Sequence, residues 1–116
     1  MIEKIENYAK TNNVPIMEKE GIDFLTNYIK ENNIKSILEI GSAIGYSAIK
    51  FCLVSNDVTV TTVERDKNRY DMAVQNINDF KLKLFIFSLA ILNLLISLSI
   101  VVTVISSLTK QNLIAE

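Results

Sequence analysis

The stretch that decides the fold is residues 38–47, LEIGSAIGYS, in which Gly41 and Gly45 stand four positions apart. The apolar run from Ser36 to Ile40 is typical of a buried strand, and a helical pattern resumes at Tyr46. A strand that turns through glycine into a helix leaves backbone N–H groups beside open space, where a carboxylate, phosphate or ribose can approach. The pattern therefore predicts a nucleotide-type loop. The alternative is an ordinary turn between a strand and a helix.

A second strand is predicted from Val58 to Val63, and it ends on Glu64. In doubly wound sheets an acidic residue about 20 positions past the glycine loop accepts hydrogen bonds from both ribose hydroxyls of a bound cofactor. The order strand, loop, helix, strand, terminal acid therefore predicts a cofactor site. The alternative is that Glu64 is a solvated side chain with no ligand.

Three separated segments carry a resemblance to a known family: residues 14–21 (VPIMEKEG), residues 38–47 and residues 63–66 (VERD). They resemble the S-adenosylmethionine-dependent O-methyltransferases related to catechol and caffeoyl-CoA methyltransferases, and look most like the bacterial tRNA 5-hydroxyuridine methyltransferases. The resemblance covers roughly residues 2–80. It implies an α/β, Rossmann-like methyltransferase fold in truncated form, with residues 1–80 as the cofactor-binding part and residues 81–116 as a hydrophobic tail.

The resemblance also implies which residues contact S-adenosylmethionine: Met17, Glu39, Gly41, Gly45, Tyr46, Ser47 and Glu64. For three of them the residue type leaves a second interpretation open. Met17 could instead be a core methionine that fills a gap, and Ser47 could cap its own helix. Glu39 interrupts a buried strand, where a carboxylate is unfavourable unless hydrogen-bonded. We therefore expect Glu39 to accept from the loop N–H groups or to lie near the cofactor's ammonium.

The family chemistry implied by the resemblance is Mg²⁺-assisted methyl transfer to a hydroxyl group. The wobble 5-hydroxyuridine of tRNA is the first substrate implied, and a catechol-like compound is the second. Relatives carry their magnesium ligands and an Asp-Ala-x-Lys motif after a fourth strand, and nothing like that motif follows here. Leu89 also stands where relatives have an aspartate that holds the adenine amino group. No catalytic or metal-ligating residue is assigned, and we expect the chain alone to be inactive and to bind the cofactor weakly.

The tail is distinct in composition, because residues 84–109 contain no charged side chain. Three interpretations compete. Residues 82–88 could form the family's third strand, or residues 84–109 could form a transmembrane helix, for which their length suffices. The third, which we favour, is a reading-frame slip after the third strand. The partners expected are tRNA, which the family resemblance implies, a membrane if residues 84–109 span it, and a second copy of the chain in a homodimer.

Composition limits the remaining classes. The chain has 116 residues, a net charge of −1, no histidine and a single cysteine, Cys52. Intramolecular disulfides and Cys/His zinc sites are therefore excluded, and a reducing cytoplasm is the expected compartment. The charge offers no basic surface for a nucleic-acid backbone. Cys52 is predicted to be a small buried hydrophobe, since no histidine can activate it.

Overall fold

A computed structural model describes residues 1–88 and 104–106. Helices and strands alternate after an initial pair of helices. The elements in chain order are α1 (Ile2–Thr11), α2 (Lys19–Glu31), β1 (Ser36–Ile40), α3 (Tyr46–Cys52), β2 (Thr59–Glu64), α4 (Lys67–Asn78), β3 (Leu84–Ser88) and β4 (Val104–Ser106).

The strands form one parallel sheet in the order β3-β2-β1-β4. Helix α3 connects β1 to β2, and α4 connects β2 to β3, as parallel neighbours require. Ile40 at the end of β1 is paired with Val63, next to the last residue of β2. The glycine loop and Glu64 therefore leave the sheet at the same edge.

The core is built around α3, whose Ala48, Ile49 and Phe51 are completely buried. This helix packs against β2 and β3 of the sheet and also against α1 and α2. Helix α2 packs chiefly on α3. Cys52 is buried as predicted, and burial raises the pKa of its thiol to about 11.

The start of the hydrophobic tail belongs to the sheet. Residues 84–88 form β3 beside β2, which confirms the prediction of a third strand within residues 82–88. Residues 104–106 form β4 beside β1, with Leu38 paired to Val104. The alternative prediction of a continuous helix over residues 84–109 is therefore wrong for residues 84–88 and 104–106, which form strands.

The rest of the tail, residues 89–103 and 107–116, lies outside the described residues. The interpretations that depend on Leu89 and on a reading-frame slip fall in that part of the chain. Among the helices formed by residues 1–88, none has the length and apolar character needed to cross a bilayer.

Candidate functional site

The loop between β1 and α3 is held by backbone hydrogen bonds to the neighbouring strand. The N–H groups of Gly41 and Ser42 both donate to the carbonyl of Val63, at 2.8 and 3.0 Å. Gly45 N–H donates to the carbonyl of Ser42 at 2.9 Å. These N–H groups are engaged within the protein, so the expectation that the loop presents them to open space is wrong for these three residues.

The two glycines answer different requirements. Both have positive φ, +94° at Gly41 and +88° at Gly45, which favours glycine. A Cβ built on Gly41 would meet no atom of the described residues within 4 Å, whereas one on Gly45 would lie 3.5 Å from side-chain atoms of Ala73 and Ile77. Within the described part of the chain Gly41 therefore borders open space, and Gly45 allows the loop to pack on α4.

Glu64 lies against this loop, as the sequence pattern predicts. Its side chain is only 6% exposed. Oε1 accepts from the Ala43 N–H at 2.8 Å, and Oε2 accepts from the Asp66 N–H at 2.9 Å. A carboxylate offers about four acceptor positions, so two bonds leave capacity for further donors at the rim of the sheet. The role of Glu64 in cofactor binding stays a prediction.

A second carboxylate, Glu39, lies inside the protein beneath the loop and is fully buried. Thr62 Oγ1 donates to Glu39 Oε1 at 2.9 Å, and Ser47 Oγ donates to the other oxygen through a short bond. Ser42 Oγ lies 2.6 Å from Thr62 Oγ1. These hydrogen bonds offset the cost of burying a polar carboxyl group away from water. We call Ser42, Thr62, Glu39 and Ser47 the hydroxyl network.

Neither Ser42 nor Thr62 was predicted from the sequence to take part in the site. One sequence signal could have identified Thr62, because it follows Val58 and Val60 at every second position of the predicted strand, which places it on their face. All three residues are buried. A hydroxyl on a buried strand face needs a polar partner, and the carboxylate two residues before the loop was available. Ser42 has no comparable local signal.

The hydroxyl network changes the expectation for Ser47. Its hydroxyl proton is donated to Glu39, so it cannot also be donated to a ligand carboxylate in this arrangement. The backbone N–H of Ser47 is a separate group and is not used in that bond. A cofactor role for Ser47 therefore depends on its main chain.

Tyr46 ties two helices together. Its hydroxyl donates to Glu6 Oε2 in α1 at 2.8 Å. Burial, followed by this hydrogen bond to Glu6, raises the pKa of Tyr46 well above its ordinary value of 10.0. The phenol is therefore a neutral tether between α3 and α1 at physiological pH.

Met17 and Tyr46 meet at an open cavity of about 400 Å³. Its walls come from α1, the segment before α2, the start of α2, and α3, and they include Glu6 and Lys50. Met17 is also partly buried against the core, so both interpretations of this residue remain open. The predicted residues thus form two groups, Met17 and Tyr46 at the cavity, and the others around the loop.

A metal site is not formed by the part of the chain described. Within residues 1–88 and 104–106, no three His, Cys, Asp or Glu side chains come together in a way that could hold an ion.

Solved structures share this architecture. A Staphylococcus aureus protein described provisionally as a caffeoyl-CoA O-methyltransferase is 39% identical, with a TM-score of 0.71 over 75% of this chain and 43% of its own. A Bacillus cereus O-methyltransferase solved with S-adenosylhomocysteine is 24% identical, with a TM-score of 0.70 over 83% of this chain and 47% of its own. TomG of Streptomyces achromogenes, solved with S-adenosylmethionine, is 18% identical, with a TM-score of 0.68 over 83% and 45%. The parallel sheet with its loop after β1 is a Rossmann-like methyltransferase fold.

The family model described as O-methyltransferase matches residues 1–86. This chain therefore belongs to the O-methyltransferase family. It spans less than half the length of the three solved structures, at 43%, 47% and 45% of them.

Proposed function

We propose that this chain binds S-adenosylmethionine at the sheet edge where β1 and β2 end, as the cofactor-binding part of an O-methyltransferase. The observation that carries the proposal is the contact between Glu64 and the glycine loop, with a 2.8 Å bond from Ala43 N–H to Glu64 Oε1. It brings an acceptor for ribose hydroxyls next to the open space at Gly41. The Bacillus cereus and Streptomyces achromogenes structures contain S-adenosylhomocysteine and S-adenosylmethionine.

The residues present fit this cofactor. Glu64 has acceptor capacity beyond its two backbone bonds, which suits the neighbouring hydroxyls of a ribose. The missing Cβ at Gly41 leaves room for close approach to the backbone. The bound cofactor would supply an electrophilic methyl group on its sulfonium.

The loop needs little ordering to receive a ligand. Gly41 and Ser42 already bond to Val63, and Ala43 already bonds to Glu64. Groups held in place before binding reduce the entropy lost on association. We assign the methionine end of the cofactor to the Ser47 N–H and to the side of the cavity formed by Met17 and Tyr46.

The acceptor proposed first is the wobble 5-hydroxyuridine of tRNA, on the strength of the family resemblance. A small catechol-like hydroxyl compound is the second candidate, supported by the 39% identity to the Staphylococcus aureus protein described as a caffeoyl-CoA O-methyltransferase. Transfer requires the acceptor hydroxyl to be held near ~3 Å from the methyl carbon. The described residues do not fit Mg²⁺, since they form no cluster of potential ligands, so no step is assigned to a metal. We propose that the chain alone transfers no methyl group.

The binding test is a calorimetric titration of S-adenosylmethionine into the full chain and into Glu64→Gln. The amide keeps the size of the side chain but loses acceptor capacity and charge, and we expect affinity to fall by roughly 1–3 kcal/mol. Asp57→Asn is the matched control. Asp57 is exposed, lies just before β2 at the opposite edge of the sheet, and forms an ion pair with Lys35. Equal affinities for wild type and Glu64→Gln would remove Glu64 from the site.

The transfer test separates the acceptors. The full chain is incubated with labelled S-adenosylmethionine, Mg²⁺ and either hypomodified tRNA or catechol, beside a Glu64→Ala control. We expect no label in either acceptor above that control. Label in tRNA alone or in catechol alone would identify the acceptor and would contradict the proposed inactivity.

A further inference from the structure

The hydroxyl network contains two residues for which the proposed cofactor role has no use, Ser42 and Thr62. Ser42 is 2% exposed and Thr62 is completely buried, so neither side chain can exchange its partner for water. Their oxygens are 2.6 Å apart, and Thr62 is also 2.9 Å from Glu39. The pair connects the glycine loop to a buried carboxylate on β1.

The direction of these hydrogen bonds follows from counting protons. A hydroxyl group has a single proton, and that of Thr62 is donated to Glu39. Ser42 must therefore be the donor in its contact with Thr62. The hydrogen bond to Glu39 orients the Thr62 hydroxyl, and Thr62 in turn orients Ser42.

Ser42 lies in a turn whose backbone is strained. The next residue, Ala43, has φ of +49°, an unfavourable conformation for a residue with a Cβ. That conformation lets the Ala43 N–H reach Glu64, while the carbonyl of Ser42 accepts from Gly45. A strained turn persists only when neighbouring groups stabilise it. The hydrogen bond of the Ser42 side chain to Thr62 is one such stabilising contact.

We infer that Thr62 is a positioning residue for the cofactor loop, which acts through Ser42 and is itself held by its hydrogen bond to Glu39. Its effect on the cofactor rests on the proposed function, whereas its effect on the loop does not. A valine at position 62 has the same shape but offers no hydroxyl. It leaves the buried Ser42 donor without its acceptor and removes one donor from Glu39.

The test compares Thr62→Val, Thr62→Ser and the matched control Thr61→Val, which removes a hydroxyl from the adjacent residue on the other face of β2. Hydrogen exchange of the peptide covering residues 41–47 is measured without cofactor, and S-adenosylmethionine affinity is measured by calorimetry. We expect Thr62→Val to speed exchange in this peptide about tenfold more than in α4 and to weaken binding about tenfold. Thr62→Ser should keep the exchange rate of the loop and the cofactor affinity at their wild-type values, because it retains the hydroxyl. Thr61→Val should also change neither quantity.

Ser42→Ala is the second variant, because it removes the loop end of the contact and keeps the Thr62 donor to Glu39. It should reproduce the faster exchange even if Thr62→Val does not fold. Exchange that rises equally in α4 and the loop, or no change in Ser42→Ala, would overturn the inference. Absence of binding in wild type would defeat the proposed function, and faster loop exchange in the variants would still support Thr62 as the positioning residue.

Discussion

Glu39 and Glu64 lie near the ends of adjacent parallel strands, yet their surroundings differ. Glu39 is completely buried and accepts from the side-chain hydroxyls of Ser47 and Thr62. Glu64 is 6% exposed and accepts from the backbone N–H groups of Ala43 and Asp66. The hydroxyl donors to Glu39 come from α3 and β2, so Glu39 links β1 to two other elements. Glu64 takes one donor from the loop and one from its own turn, and it stays at the rim.

The difference separates a carboxylate that links three elements of the fold from one at the rim of the sheet, which we propose as a cofactor contact. A buried carboxyl group is tolerated only when it is hydrogen-bonded, and removing it leaves its buried donors without an acceptor. A rim carboxylate can be removed at lower cost because water can replace part of its role. The comparison therefore predicts that substitution of Glu39 lowers stability more, whereas substitution of Glu64 lowers cofactor affinity more.

The largest expected effect is on stability. Glu39→Ala should lower the free energy of unfolding by about 3 kcal/mol, because it leaves a cavity and two buried hydroxyls without an acceptor. Glu64→Ala should lower it by only about 1 kcal/mol. Urea denaturation measures both, with the exposed Glu31→Ala as control. Equal losses of unfolding free energy in Glu39→Ala and Glu64→Ala would contradict the different structural roles given to the two carboxylates.

The glycines extend the comparison to the loop backbone. Gly41→Ala and Gly45→Ala should each lower the free energy of unfolding by roughly 1–2 kcal/mol, since both positions have positive φ. Only Gly41→Ala should also weaken S-adenosylmethionine binding, because its Cβ enters the open space. Calorimetry of the two variants beside wild type tests this. A greater loss of affinity in Gly45→Ala would reverse the roles assigned to the two residues.

Asp66 is a capping carboxylate beside Glu64, the proposed cofactor contact. Its Oδ1 accepts from Arg69 N–H at 2.9 Å and caps α4, while its own N–H donates to Glu64. Asp66→Ala should lower the free energy of unfolding by about 1 kcal/mol and leave cofactor affinity unchanged, because the N–H remains. Thermal melts and calorimetry check both parts, with Asp79→Ala as control. A loss of affinity would mean that the cap positions Glu64.

The smallest expected effect is at the tether between α3 and α1. Tyr46→Phe should lower the free energy of unfolding by about 0.5 kcal/mol at neutral pH, since the exposed Glu6 regains water. The pKa of Tyr46 is raised in the folded state, so its stabilising contribution is complete below pH 10 and is lost as pH rises above that value. The difference in stability between the two proteins at pH 7 should therefore shrink above pH 10, as unfolding curves at the two pH values would show. A constant difference would show that folding does not raise the pKa of Tyr46.

Local sequence was sufficient for much of the fold. Asp66 as a helix cap, the strand that ends on Glu64 and the glycine turn after β1 were all predicted, because each is encoded within a few neighbouring residues. The third strand within residues 82–88 was one of three interpretations that the sequence left open for the tail. The partners of Glu39 were not predicted, since its bond to Thr62 spans 23 positions in the chain. The bond from the Ser47 hydroxyl to Glu39 joins β1 to the following helix and depends on how the two pack.

What the sequence by itself determined is the alternation of strands and helices and the presence of a glycine loop followed by an acid, because periodicity and backbone preference act over short distances. Only the tertiary structure decided which hydroxyls surround Glu39, which glycine faces open space, and that residues 104–106 pair with β1 within a run that also fits a helix. Those outcomes depend on parallel pairing and on packing between distant elements, and in a parallel sheet the register is set by long-range contacts that no local pattern records.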